Sequence, residues 1–300
     1  MNTIDLTIRP ERGRPIVLHR VGPSNWQELT DRQSIALTRL RNLPDPKRRY
    51  SFIALKLLYG FRMRHQRWLF DINYIRRQGI DPDDQLLLLE QGQNLLKALA
   101  WISEADPSAT FPAKFRRFDY QFGTPLTWLK KQLSPQLYVG PDKGLSNGTF
   151  AEFMAADKAY QAGDLPLLAA ILYRPLDASG HRIAFGDRVA KEQSKRFASL
   201  EPALLERIGF AFCCTKINLQ KYFRLVFPDK MTDELSSEQT PVKSRSGTWL
   251  DVVIGMAKFD VTKIEQIEQI NLYLALKVLN EQLRQAEEME AQLAKMKQQH

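Results

Sequence analysis

Cysteine is nearly absent from this chain: 300 residues hold two, the neighbours Cys213 and Cys214. Adjacent cysteines rarely bridge, so no disulfide scaffold exists and a reducing compartment fits. Histidine is scarce too. The four are His19, His65, His181 and His300, and none stands three or four residues from another, which excludes the zinc pattern His-Glu-x-x-His. No Gly-x-Ser-x-Gly elbow is present to raise a serine nucleophile. Long apolar runs are missing as well. None reaches the roughly 18 residues a bilayer crossing requires, and the opening Met1-Asn-Thr-Ile-Asp-Leu-Thr-Ile-Arg-Pro10 alternates instead of forming a basic region and an apolar core. The expectation is a chain with neither signal peptide nor membrane anchor.

What is present reads as globular, with 44% hydrophobic and 26% charged residues, enough for one large domain or two ordinary ones. The formal charge of +9 is uneven. Residues 1–131 hold 22 Lys/Arg against 13 Asp/Glu, and residues 132–300 hold 21 of each.

Alternation of Ile4, Leu6 and Ile8 with Asp5, Thr7 and Arg9, then Ile16-Val-Leu18 after Glu11-Arg-Gly-Arg14, predicts a β-hairpin. Helical spacing follows. Thr30-Asp-Arg-Gln33 opens a helix through Leu40 and Leu43, Asp45-Pro46 starts a second through Phe61, and Trp68, Ile72 and Ile75 mark a third ended by Gly79. Asp81, Asp83 and Asp84 suit the dipole at the start of a fourth, whose Leu86-Leu-Leu-Leu89 predicts burial on more than one side. Pro107, Pro112, Gly123, Pro125, Pro135 and Gly140 then break the pattern, with short strands expected near Phe115 to Phe122 and Leu137 to Val139. The aromatics between them favour a packed segment over a linker, because leaving them in water is costly. Helices resume from Thr149, Leu165, Val189 and Pro202, followed by a polar loop at 231–246, a short apolar helix from Trp249, and one last element from Val261.

The expectation is a mainly α chain: a multi-helix globular body with a short N-terminal β-hairpin, a small irregular and β-containing segment in the middle, and a long C-terminal helix. Five segments describe it: 1–29 hairpin arm and lead-in, 30–105 basic helical part, 106–148 aromatic, Pro/Gly-rich part with short strands, 149–260 helical part, and 261–300 long helix with coiled-coil spacing.

The stretch Gly140-Pro-Asp-Lys-Gly-Leu-Ser-Asn-Gly-Thr149 invites a phosphate-loop reading. A P-loop needs Gly-Lys-Ser/Thr, whereas Lys143 here precedes Gly144. Thr149-Phe-Ala-Glu152 instead matches a capping box, so the stretch predicts a helix start. Asp157 falls on the apolar face of that helix beside Phe150, Phe153, Met154 and Tyr160. It either lies at the rim or needs a cation or N–H partner. No catalytic residue, cofactor or metal ligand is assigned, and Glu287, Glu288 and Glu290 read as a solvated face.

Two surfaces carry binding expectations. Leu272, Leu276, Leu279, Leu283 and Ala286 fall at steps of four and three, the period of a coiled-coil seam. With Met289 and Leu293 they form either a partner-binding helix or one docked on its own body. The second surface is basic: Arg39, Arg41, Lys47, Arg48 and Arg49 at one helix boundary, and Arg62, Arg64 and Arg67 at the next, with Tyr50, Tyr59, Phe61 and Trp68 interleaved. Such clusters release counterions on meeting nucleic acid, and aromatics stack on unpaired bases. The same aromatics at helical spacing also read as core, and the same cations as solvated helix ends.

The order Leu145-Ser-Asn-Gly-Thr-Phe-Ala-Glu-Phe-Met-Ala-Ala-Asp157, then Leu168-Ala-Ala-Ile-Leu-Tyr-Arg-Pro175, Tyr222 to Pro228, a Trp249-led segment and a closing helix resembles uncharacterised proteins of tail modules in bacterial phages and prophages. These look like tail-assembly chaperones or accessory tail factors, and the resemblance covers about residues 135–280. It implies a non-enzymatic assembly factor in the bacterial cytoplasm, or associated with the virion, that binds another tail protein such as the tape measure or tube protein. The alternative is a nucleic-acid-binding module built on the cluster from Arg39 to Arg67.

Overall fold

The alternation at the start becomes strand β1 (Asn2–Ile8), paired antiparallel with β2 (Ile16–Gly22), Leu6 opposite Leu18 and Ile8 opposite Ile16. The computed structural model describes residues 1–8, 14–41, 47–103, 109–120, 135–227 and 249–298. It is mainly helical, with this short hairpin at one end of the sequence and a long helix at the other. Residues expected at the hairpin turn before Arg14, Leu43, Asp45, Pro46, Phe122, Trp128 and the loop at 231–246 lie outside the described residues.

The chain folds as two units. The first comprises residues up to Thr110 together with Glu201–Arg207. Its helices are α1 (Asp31–Arg41), α2 (Lys47–Tyr59), α3 (Met63–Phe70), α4 (Ile72–Arg77) and α5 (Pro82–Lys97). Thr30 caps α1 with a complete box: its Oγ1 accepts from the Gln33 N–H at 3.3 Å while the Gln33 side chain accepts from the Thr30 N–H at 3.0 Å. The single helix expected over Trp68 to Gly79 is two, because the Asp71 carboxylate accepts from the Tyr74 N–H at 3.0 Å and starts α4. Helix α5 buries one face only. Leu88 and Gly92 are buried, whereas Leu86 and Leu87 are 70% and 51% exposed, against the expectation of burial on several sides. Gly92 has a reason to stand mid-helix, where glycine costs about 1 kcal/mol: a Cβ there would meet the Leu69 carbonyl at 2.4 Å, so its absence lets α5 approach α3.

The second unit comprises Phe111–Leu200 and Ile208–His300. Strands β3 (Lys114–Arg116) and β4 (Leu137–Val139) pair antiparallel where short strands were expected. Phe115 lies among the rings of Tyr138, Tyr173 and Phe197, with centroids 4.8 to 5.8 Å away, which makes the aromatic segment part of the core. Around it run α6 (Phe150–Gln161), α7 (Leu165–Leu172) and α8 (Asp187–Phe197), followed by α9 (Pro202–Tyr222), whose first residues belong with the other unit. Helix α10 (Trp249–Met256), the short α11 (Ile264–Glu268) and α12 (Leu272–Gln298) complete it. The element expected to run unbroken from Val261 is interrupted at Gln269–Asn271, where Asn271 forms a bridge with Thr149.

Candidate functional site

The Gly140 loop is turn chemistry. The N–H groups of Asp142, Leu145, Ser146 and Gly148 all donate to acceptors within the loop, so these four amides are spent on the turn. Gly144 sits at φ 66° with Tyr273 against it: the phenol donates to the Gly144 carbonyl at 2.9 Å, and a Cβ would meet its oxygen at 2.8 Å. Asn271 adds a bond from its side-chain N–H to the Ser146 carbonyl at 2.7 Å. The cap that follows is half of the expected box. Thr149 Oγ1 accepts from the Glu152 N–H at 3.2 Å, but the Glu152 carboxylate goes elsewhere. It is buried between Arg174 at 2.7 Å and Arg182 at 3.0 Å. Arg182 also donates to the Leu172 carbonyl at 2.7 Å, so two guanidiniums outcompete one cap N–H for the carboxylate. Burial pushes the Glu152 carboxyl above its usual range, and the two cations pull it part of the way back.

Asp157 is not at the rim. It is 3% exposed and has three partners: Trp249 Nε1 at 3.0 Å, Gln161 Nε2 at 2.7 Å and Lys216 Nζ at 2.6 Å. The carboxylate thus ties α10 and α9 to α6. Burial first, then the adjoining Cys213, push the Tyr160 phenol up to about 12, and its ring lies 5.7 Å from Lys216 Nζ. Cys214 is buried and Cys213 half-buried. Among the described residues no group of three or more His, Cys, Asp or Glu is placed to hold a metal ion, and no helix is long and apolar enough to cross a membrane.

The seam of α12 splits in two. Leu272 and Leu276 are fully buried in their own unit, Leu279, Leu283 and Ala286 are half-buried, and Met289, Leu293 and Met296 are more than half exposed. The beginning of this helix docks on α6, as a helix seated on its own body would, and its end keeps an apolar stripe in solvent. Arg284 pairs with Glu281 at 2.7 Å beside that stripe.

The basic residues also divide. Arg39 lies 3.9 Å from Glu201, while the side chains of Arg41, Lys47, Arg48, Arg49 and Tyr50 lie outside the described residues. Tyr59, Phe61 and Trp68 are buried, so they serve the core. Arg62 and Arg64, in contrast, line a cleft of about 650 Å³ in the first unit, together with Arg14 and Arg20 of the hairpin, His65, Trp68 and Tyr74. Arg67 lies over the Tyr74 ring at 5.9 Å. Among the described residues, none of those lining the cleft is acidic. Arg14 and Arg20 escaped the sequence reading because they are far from the cluster in sequence. A signal was there: Arg20 shares the inward parity of Ile16 and Leu18 on β2, an unusual place for a cation.

His65 forms the buried wall of this cleft. Its Nδ1 lies 3.3 Å from the Arg62 N–H and its Nε2 3.2 Å from Arg64 Nε. Burial, and then the charges of Arg64, Arg20 and Arg62, hold its pKa below the ordinary value of 6.5. The folded state thus binds fewer protons here than the unfolded chain, so this contribution to stability is present at neutral pH and lost as pH falls through the folded value. Between pH 7 and pH 5 the thermal midpoint should drop further in the parent than in a His65→Gln chain, which has nothing to titrate at that position. Equal drops would contradict the assignment.

Comparison with known proteins finds no matching protein family, no matching curated protein and no matching solved structure.

Proposed function

We propose that this chain is a non-enzymatic binding protein that engages another protein through the free end of α12. The observation that carries this reading is the exposed run of Met289, Leu293 and Met296 on a helix whose beginning is firmly docked. An apolar stripe presented on a rigid helix is the element of helix-in-groove recognition. The resemblance of residues 135–280 to tail-module proteins supplies the partner class: a tape-measure or tube protein of a phage-like tail, held until assembly proceeds.

The test is co-purification of the full chain with neighbouring tail gene products as bait, against a Met289→Glu, Leu293→Glu variant. Both side chains are exposed, so the fold is expected to survive the change. The two together lose about 3 kcal/mol or more of burial in a groove, which makes the expected loss of affinity more than about a hundredfold. Unchanged capture would remove the helix from the reading. Capture of no bait by the parent would remove the tail partner.

A further inference from the structure

We infer that the arginine-lined cleft of the first unit binds the phosphates of a single-stranded nucleic acid. The cleft shares no residue with α12. Arg14 and Arg20 come from the hairpin and Arg62 and Arg64 from the start of α3, so two elements distant in sequence bring their cations to one concavity. Gathering like charges is unfavourable in itself and calls for a counter-charge. Among the described residues no carboxylate lines the cleft and none forms an ion pair with these four arginines. An anion with several phosphates supplies what is missing, and arginine's planar fork suits phosphate oxygens.

Size decides the form of that anion. The cleft encloses about 650 Å³, the size of a small-ligand pocket, whereas a duplex is broader than its own major groove of about 12 Å. A single strand enters; a duplex does not. Recognition is by backbone more than by base. Trp68 is only 5% exposed, and the half-buried Tyr74 ring already carries Arg67 at 5.9 Å and Trp68 edge-on at 5.1 Å. Contacts of this kind position a strand without reading its sequence.

Fluorescence anisotropy with a labelled single strand of about twelve nucleotides tests the site on the full-length protein. Engaging three or four phosphates predicts affinity falling roughly 20- to 50-fold between about 50 and 200 mM salt. An Arg62→Glu, Arg64→Glu variant should reduce the logarithmic salt slope by about 1.4 and weaken binding at low salt at least about tenfold. A control carries the same charge change on α8 of the other unit, Arg188→Glu with Lys195→Glu, and should bind like the parent. Circular dichroism checks the fold, and Arg62→Gln with Arg64→Gln replaces the reversal if that variant unfolds. Competition separates the sources of phosphate: unlabelled single strand should displace the probe, and inorganic phosphate or duplex at equal phosphate concentration should not. The inference is overturned by absence of binding at low salt, by equal losses in the control, or by equal displacement with inorganic phosphate or duplex.

Discussion

A Glu152→Ala chain is expected to lose roughly 3–5 kcal/mol of stability, the usual cost of removing one partner from a buried ionic group. The carboxylate is 1% exposed and holds Arg174 and Arg182, which come from the segment between α7 and α8. Its removal leaves two guanidiniums with little water to replace it. Arg182 keeps the Leu172 carbonyl, whereas Arg174 Nε is buried without a hydrogen bond even in the parent. The damage should therefore fall mainly on Arg174, and adding Arg174→Ala to Glu152→Ala should cost less than the two single losses combined. Urea unfolding of the four chains of that cycle measures both quantities. A Glu152→Ala loss under about 1 kcal/mol, the range of a solvent-exposed pair, would show that the group is not held as described.

Removing the Asp157 carboxylate should be nearly as damaging, and its effect should be local. Asp157→Ala is expected to cost about 3 kcal/mol or more, because it takes the carboxylate from the Lys216 ammonium and from the indole N–H of Trp249 together. The indole also packs on Phe150 and Phe153, with ring centroids 5.7 and 5.4 Å away, so losing its polar anchor should loosen α10 first. Amide exchange over 249–256 should rise before exchange in α7 does. Asp157→Asn keeps an acceptor for the indole and gives up the ion pair, and should recover part of the stability. Uniform exchange across both helices, or no difference between the Ala and Asn chains, would refute this arrangement.

Local chemistry was legible in the sequence wherever a short spacing carried it. The Thr30–Gln33 box, the Thr149 cap and the strand alternation at Leu6 and Leu18 depend on neighbours within a turn or a hairpin. Leu86 and Leu87 misled, because four consecutive leucines state hydrophobicity without stating which faces another element will cover. The Glu152 box failed in its second half for a tertiary reason: the carboxylate had stronger partners 22 and 30 residues away. Asp157 posed its question correctly, since a carboxylate on an apolar face demands partners, but only the fold could supply Lys216 and Trp249. The cleft was half legible. Arg62, Arg64 and Arg67 stood together in the sequence, while Arg14 and Arg20 reach the same concavity by hairpin geometry.

The clasp between the Gly140 loop and Asn271 to Tyr273 governs the order in which the second unit can form. Asn271 and Ser146 are 125 residues apart, and closing a loop of that length costs about 4 kcal/mol of chain entropy. During synthesis the loop emerges first and waits for its partner until the 125 residues that separate Ser146 from Asn271 have been made. Until then the face of α6 against which the start of α12 packs stays open, and Leu272 and Leu276 are not there to cover it. Contacts so remote in sequence slow folding, so completion of this unit should be the late step in refolding and the stage most prone to aggregation.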